Sequence, residues 1–126
     1  MKHTDLNLAK VCQSHAMCPM QAFLDVLSGP WTLYMLWILS AHGPTRFGAM
    51  KRQIQGISAK VLTERLRMLE LRGVVYREYE PTVPPQVTYG LTERGRELMG
   101  VLDGLNAIAE QWYEQDKAAL PAAEVS

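Results

Sequence analysis

Gly56 separates two stretches of helical periodicity that are each too short to be stable alone, and this pairing constrains the fold more than any other feature. Before it, Phe47, Met50 and Ile54 recur at helical spacing after the turn His42-Gly43-Pro44, with Thr45 placed to cap the helix. After it, Ser58 is a good N-cap for a helix running to about Arg72, with Leu62, Leu66 and Leu69 facing inward and Gly73 as its stop. Two short helices joined by a tight glycine turn form a helix-turn-helix, which must lean on further elements to bury its leucines.

The rest of the chain supplies those elements. Residues 1–17 show no sustained periodicity and are expected as an arm, before Cys18-Pro19 opens a short helix to Leu27 with Cys18 as N-cap. Ser28-Gly29-Pro30 breaks that helix, and residues 31–41 are apolar nearly all round, as a helix buried in the core would be. Residues 74–80 and 87–91 are rich in β-branched and aromatic residues and flank a segment with three prolines, which predicts a hairpin with a stiffened tip. Thr92 then caps a last helix from Glu93 to about Gln115, where Leu98, Val101, Leu102, Leu105, Ile108, Ala109 and Trp112 form a stripe that needs a partner.

This order predicts a mainly α fold with a small β-hairpin (α+β): a winged helix-turn-helix with an added C-terminal dimerisation helix. The expected divisions are an arm at 1–17, the winged domain with its dimerisation helix at 18–116, and a flexible tail at 117–126. A chain of 126 residues, 48% hydrophobic and 21% charged, suits one such globular domain. The start of the chain has no apolar run of signal-peptide length and residues 33–39 are too short to span a bilayer, so no membrane partner and a cytoplasmic location are expected.

The net charge of zero hides a segregation. Arg46, Lys51, Arg52, Lys60, Arg65, Arg67, Arg72 and Arg77 face only two anions, Glu64 and Glu70, within that segment, whereas from Glu93 onward seven carboxylates outnumber three cations. One end of the molecule is therefore suited to phosphate, and double-stranded DNA is the expected partner. At 100° per residue, Lys60, Thr63, Glu64 and Arg67 share the face opposite the inward leucines. With Ser58 and Ala59 they form the turn expected to enter a major groove about 12 Å wide. Arg65 and Arg67, with Lys51 and Arg52 on the preceding helix, are expected to hold phosphates. A solvated charged face is the bland alternative, and a protein-protein interaction module without specific DNA binding is the competing functional class.

The sequence also resembles the HxlR-type regulators of the MarR-like superfamily over about residues 18–112. The resemblance rests on Cys18-Pro19, Leu27-Ser28-Gly29-Pro30-Trp31, Arg46-Phe47, Gly56-Ile57-Ser58 with Leu62-Thr63 and Leu66, Gly73 with Arg77, Val83-Pro84-Pro85, and Val87-Thr88-Tyr89-Gly90-Leu91-Thr92 with Gly95. It implies a homodimer on a palindromic operator, commonly a repressor, with the helix from Ser58 in the major groove and the hairpin tip near the backbone or minor groove. The chain departs from the pattern at Pro30, where many relatives have lysine, and at Gln86 near the wing tip, where a basic residue is usual. Gly48 and Gly90 stand where larger residues are usual, which bears on local rigidity.

Two cysteines are too few for a disulfide framework, and a reducing compartment makes Cys12 and Cys18 free thiols. A thiol at a helix N-terminus is biased toward thiolate and so toward reactivity. The resemblance makes Cys18 a candidate sensor of oxidants or electrophiles, with a small buried cap as the alternative, and Cys12 is a candidate resolving thiol for a disulfide within the chain or between subunits. His3, Cys12, His15 and Cys18 lack the paired spacing of a zinc site, no cofactor motif is present, and no catalytic constellation is recognisable. Trp31, Tyr34, Met35 and Trp37 could line a small-molecule pocket, though such residues on a central helix more often form core.

Overall fold

The computed structural model describes residues 18–119. Its elements run α1 (Pro19–Leu27), α2 (Thr32–His42), β1 (Thr45–Arg46), α3 (Phe47–Gln53), α4 (Ala59–Leu71), β2 (Val75–Glu80), β3 (Gln86–Leu91) and α5 (Glu93–Ala119). The expected α+β winged architecture is present, with one strand more than the hairpin and a last helix that continues past Gln115.

The helix-turn-helix forms where its punctuation places it. Gly56 takes φ +92°, a left-handed turn that favours glycine, and the Ser58 hydroxyl caps α4 by accepting the Val61 N–H at 3.1 Å. At the other end Gly73 (φ +76°) closes a Schellman motif. Its N–H donates to the Glu70 carbonyl at 2.9 Å and the Val74 N–H donates to the Leu69 carbonyl at 2.9 Å. Leu62, Leu66 and Leu69 are fully buried, each burial contributing about 1.5–3 kcal/mol, against Met35, Leu36, Ile38 and Leu39 of α2 and Met50 and Ile54.

Two expectations are corrected. Thr45 does not cap the next helix. It pairs with Tyr89, and Arg46 with Thr88, as a two-residue third strand, and Arg46 is the N-cap of α3. The antiparallel sheet order is therefore β1-β3-β2. Helix α2 is not buried all round either: Thr32, Met35, Leu36, Ile38 and Leu39 are buried, but Leu33, Tyr34 and Trp37 lie open on its outer side. Trp31 is its N-cap in a left-handed conformation (φ +73°) rather than its first residue. Met35 therefore points inward while Trp31, Tyr34 and Trp37 point out, so the four do not line one pocket.

The motif Tyr89-Gly90-Leu91-Thr92 with Gly95 is explained by packing. Tyr89 and Leu91 are buried, and the Thr92 hydroxyl accepts the Gly95 N–H at 3.0 Å while sharing its hydrogen between the carbonyls of Gly73 and Val74. A Cβ on Gly95 would collide with the Val74 carbonyl oxygen, so only glycine lets α5 start this close to the end of α4. Gly90 is likewise occupied: Tyr76, its partner across the ladder, lays its ring where a Cβ would be. The cross-strand aromatic fills the space that a larger residue would otherwise take.

Candidate nucleic-acid interface

The sequence places cations on α3, α4 and the hairpin, and the fold turns them toward one another. Helix α4 and the wing enclose an open cleft of about 960 Å³, lined by Arg46, Arg52, Arg67 and Arg77 with Thr63, Gln86 and a single carboxylate, Glu70. Its floor is apolar, with Phe47, Val87 and Tyr89, and Pro84 and Pro85 form the wing side. Four guanidiniums against one carboxylate make it an attractive cradle for phosphate oxygens, since guanidinium can donate two parallel hydrogen bonds to such an anion.

The expected site residues fall into three groups. Arg46, Arg52, Thr63, Arg67 and Gln86 line the cleft. Lys51, Ser58, Ala59, Lys60 and Glu64 are exposed along α3 and the first turns of α4 beside it. Arg65 is not with them. At 100° per residue it falls beside Leu62 and Leu69, on the flank that meets α1, and its guanidinium rests against Gly29 on the far side of α4.

Arg77 is a lining residue that the expected site left out. The signal was present: alternation along β2 places Arg77 on the same face as buried Val75, and its ladder partner is Tyr89 of the cleft floor. Its guanidinium also lies 5.7 Å from the Tyr79 ring centroid. Near the wing tip, Arg46 approaches Glu80 at 4.0 Å across exposed side chains, a contact too screened to immobilise it. The wing tip is open, with Val83 fully exposed and the Thr82 hydroxyl donating to the Pro84 carbonyl at 2.7 Å.

Cys18 is the N-cap of α1 as expected and is 9% exposed, its carbonyl accepting the Ala22 N–H at 2.8 Å. The expectation of a free thiol is corrected: the Cys18 sulfur is in a disulfide, so it carries no thiolate in this state. Cys12, His3 and His15 lie outside the described residues. Among the described residues no group of His, Cys, Asp and Glu is arranged to hold a metal ion, and no single helix is long and apolar enough to cross a membrane.

Helix α5 leaves the domain with its apolar stripe uncovered beyond the first turns. Leu98 and Leu102 pack on the core, whereas Val101, Leu105, Ile108 and Trp112 are 45–68% exposed.

Comparison with known proteins agrees with this architecture. The model of the HxlR-like helix-turn-helix family matches residues 26–117. The HTH-type transcriptional regulator sll1512 of Synechocystis is 36% identical over 113 residues, covering 90% of this chain and 83% of its own. The crystal structure of diamide-treated YodB from B. subtilis superposes with a TM-score of 0.65 at 38% identity, covering 77% of this chain and 96% of that one. The redox regulator HypR in its reduced form gives a TM-score of 0.67 at 35% identity, covering 74% and 91%. With the family model spanning the helix-turn-helix, the wing and most of the last helix, and a relative 36% identical over 90% of the chain, the chain belongs to the HxlR-like helix-turn-helix family of transcriptional regulators.

Proposed function

We propose that this regulator binds double-stranded DNA sequence-specifically, acts as a homodimer on a palindromic operator, most simply as a repressor, and responds to oxidants or electrophiles through Cys18. The observation that carries the DNA reading is the cleft between α4 and the wing, with Arg46, Arg52, Arg67 and Arg77 around it and the exposed first turn of α4 alongside. Cations in the cleft hold the backbone and fix register, while Ser58, Ala59, Lys60, Thr63 and Glu64 present donors and acceptors to base edges. The uncovered stripe on α5 supports the dimer, because that much contiguous apolar surface on one helix marks an interaction face.

The redox reading draws on the disulfide at Cys18 and on relatives studied as redox regulators or after treatment with diamide, a thiol oxidant. Cys18 and Cys12 are the chain's two cysteines. Their oxidation joins two thiols and passes two protons and two electrons to the oxidant. Because Cys18 opens α1, which packs on α2, a change in its bonding acts directly on the frame of the domain.

The test is a mobility shift on operators selected from random DNA, with reduced and oxidised protein, the double variant Lys60→Ala with Arg67→Ala, and Cys18→Ser. The expected result is specific binding that the double variant loses and a redox response that disappears with Cys18→Ser. Loss of the Arg67 phosphate contact alone should also lower the salt slope by about one. Specific binding without a redox response would discard the switch, and failure to select any sequence would discard the DNA reading.

A further inference from the structure

Helix α5 outruns the domain it belongs to. Met99 is its last buried residue, Leu102 is half-buried, and every residue from Asp103 to Ala119 is exposed, a stretch of about 25 Å at 1.5 Å per residue. Along it Leu105, Ile108 and Trp112 continue the stripe begun by Val101, while Asp103, Glu110 and Glu114 fall on the opposite side at 100° per residue. The stretch therefore has one solvated face and one that needs a host.

A second uncovered face lies on α2. Leu33, Tyr34, Trp37 and Ala41 share the side opposite the buried Met35, Leu36 and Leu39, and its three large residues are 43–53% exposed. No Asp, Glu, Lys or Arg occurs anywhere in α2, although charged side chains are what normally solvates an outward helix face. The rings are also held in place. Tyr34 stacks on Trp37 at 6.1 Å between centroids, Trp37 meets His42 edge-on at 5.8 Å, and the Tyr34 hydroxyl points to the Gln53 carbonyl 3.5 Å away. Rings already ordered lose little freedom on docking, and Trp and Tyr are enriched in interfaces.

We infer that each face covers the other across the two-fold axis of the homodimer: the stretch of α5 from Leu105 to Trp112 in one copy lies over Leu33, Tyr34 and Trp37 of a second copy. The inference rests on the homodimer reading and names the surface that completes it. Helix α2 packs against the root of α5, so the two faces are neighbours on each copy, and a two-fold operation that brings α5 of one copy onto α2 of the other returns the same contact in reverse. The areas agree. At 43–68% exposure of residues on the order of 150–250 Å² each, the α5 stripe offers roughly 400 Å² and the α2 face roughly 300 Å². Permanent homodimers bury about 1,000 Å² or more per partner, about two-thirds of it apolar, which neither face supplies alone and the two together do. Pairing of α5 with α5 alone would leave Leu33, Tyr34 and Trp37 in water. Since the inner side of α2 packs on Leu62, Leu66 and Leu69, the second copy then grips the frame that holds α4.

The test uses the full chain in two measurements. In sedimentation, Leu33→Lys with Trp37→Lys should weaken the dimer at least tenfold although the α5 stripe is intact, with the circular dichroism of a folded chain because both side chains lie outside the core. In photo-cross-linking, isotope-labelled protein carrying benzoylphenylalanine in place of Trp37 is mixed with unlabelled wild type, and mass spectrometry should find residue 37 joined to residues 105–113 of the other copy. The inference is overturned, with the homodimer left standing, if the wild type is a dimer and the double variant dimerises equally well. Cross-links that stay within one copy, as they would if residues 1–17 covered α2, or that reach another segment of the second copy, overturn it as well. A monomeric wild type overturns this inference and the homodimer together. Should the double variant fail to fold, the cross-link decides.

Discussion

At Gly95 a single hydrogen in place of a side chain decides how closely two helices approach. A methyl there would meet the backbone oxygen of Val74, which cannot swing away as a flexible side chain could. Gly95→Ala should therefore destabilise the fold by about 1–3 kcal/mol, the overpacking outweighing the gain of about 1 kcal/mol in helix propensity. Gly48→Ala should do the opposite, because its added methyl lies 3.6 Å from Arg52 Nη1, an ordinary contact, and only the propensity gain remains. Urea unfolding of both variants checks the contrast, and a stable Gly95→Ala would contradict the packing described. At this scale the sequence was legible where chemistry is local: Ser58, Gly73 and Thr92 cap and stop helices where their types predict. It was misleading at Arg65, where charge suggested phosphate although the helical angle already placed it beside Leu62. For Cys18 it offered both a free thiol and a disulfide and did not decide between them, because pairing of cysteines is a property of three-dimensional proximity.

Among the elements, α4 depends on its caps at both ends. Ser58→Ala removes the acceptor for the Val61 N–H and should cost about 1 kcal/mol, measured as a lower urea midpoint with unchanged slope. A change in slope instead would mean that the variant alters the compactness of one state and that the cap is not the cause. The short strand β1 was not legible, and the reason is physical. Two residues carry no periodicity, and Thr45 and Arg46 become a strand only because Tyr89 and Thr88, more than forty positions away, offer them a ladder. Helix α2 shows the converse: its apolar residues were visible, but composition cannot tell a side turned to the core from one left open, as Leu33, Tyr34 and Trp37 are.

For the whole molecule, the exposed stripe of Val101, Leu105, Ile108 and Trp112 predicts self-association. Sedimentation of the wild type should give a dimer, and Leu105→Lys with Ile108→Lys should give a folded monomer with markedly weaker operator binding. A wild-type monomer would remove the homodimer from the proposal and favour docking to another protein. The hydrogen bonds of Thr92 to Gly73 and Val74, with Arg94 Nη1 donating to the Arg72 carbonyl at 3.2 Å, tie the root of α5 to the end of α4. In a dimer joined through α5, this joint makes each subunit one stiff arm of a caliper, with the exposed faces of the two α4 helices as its jaws. Such an instrument gauges length as well as lettering. One base pair inserted between half-sites turns the second half-site by about 35° around the DNA axis, out of reach of a jaw that cannot swivel.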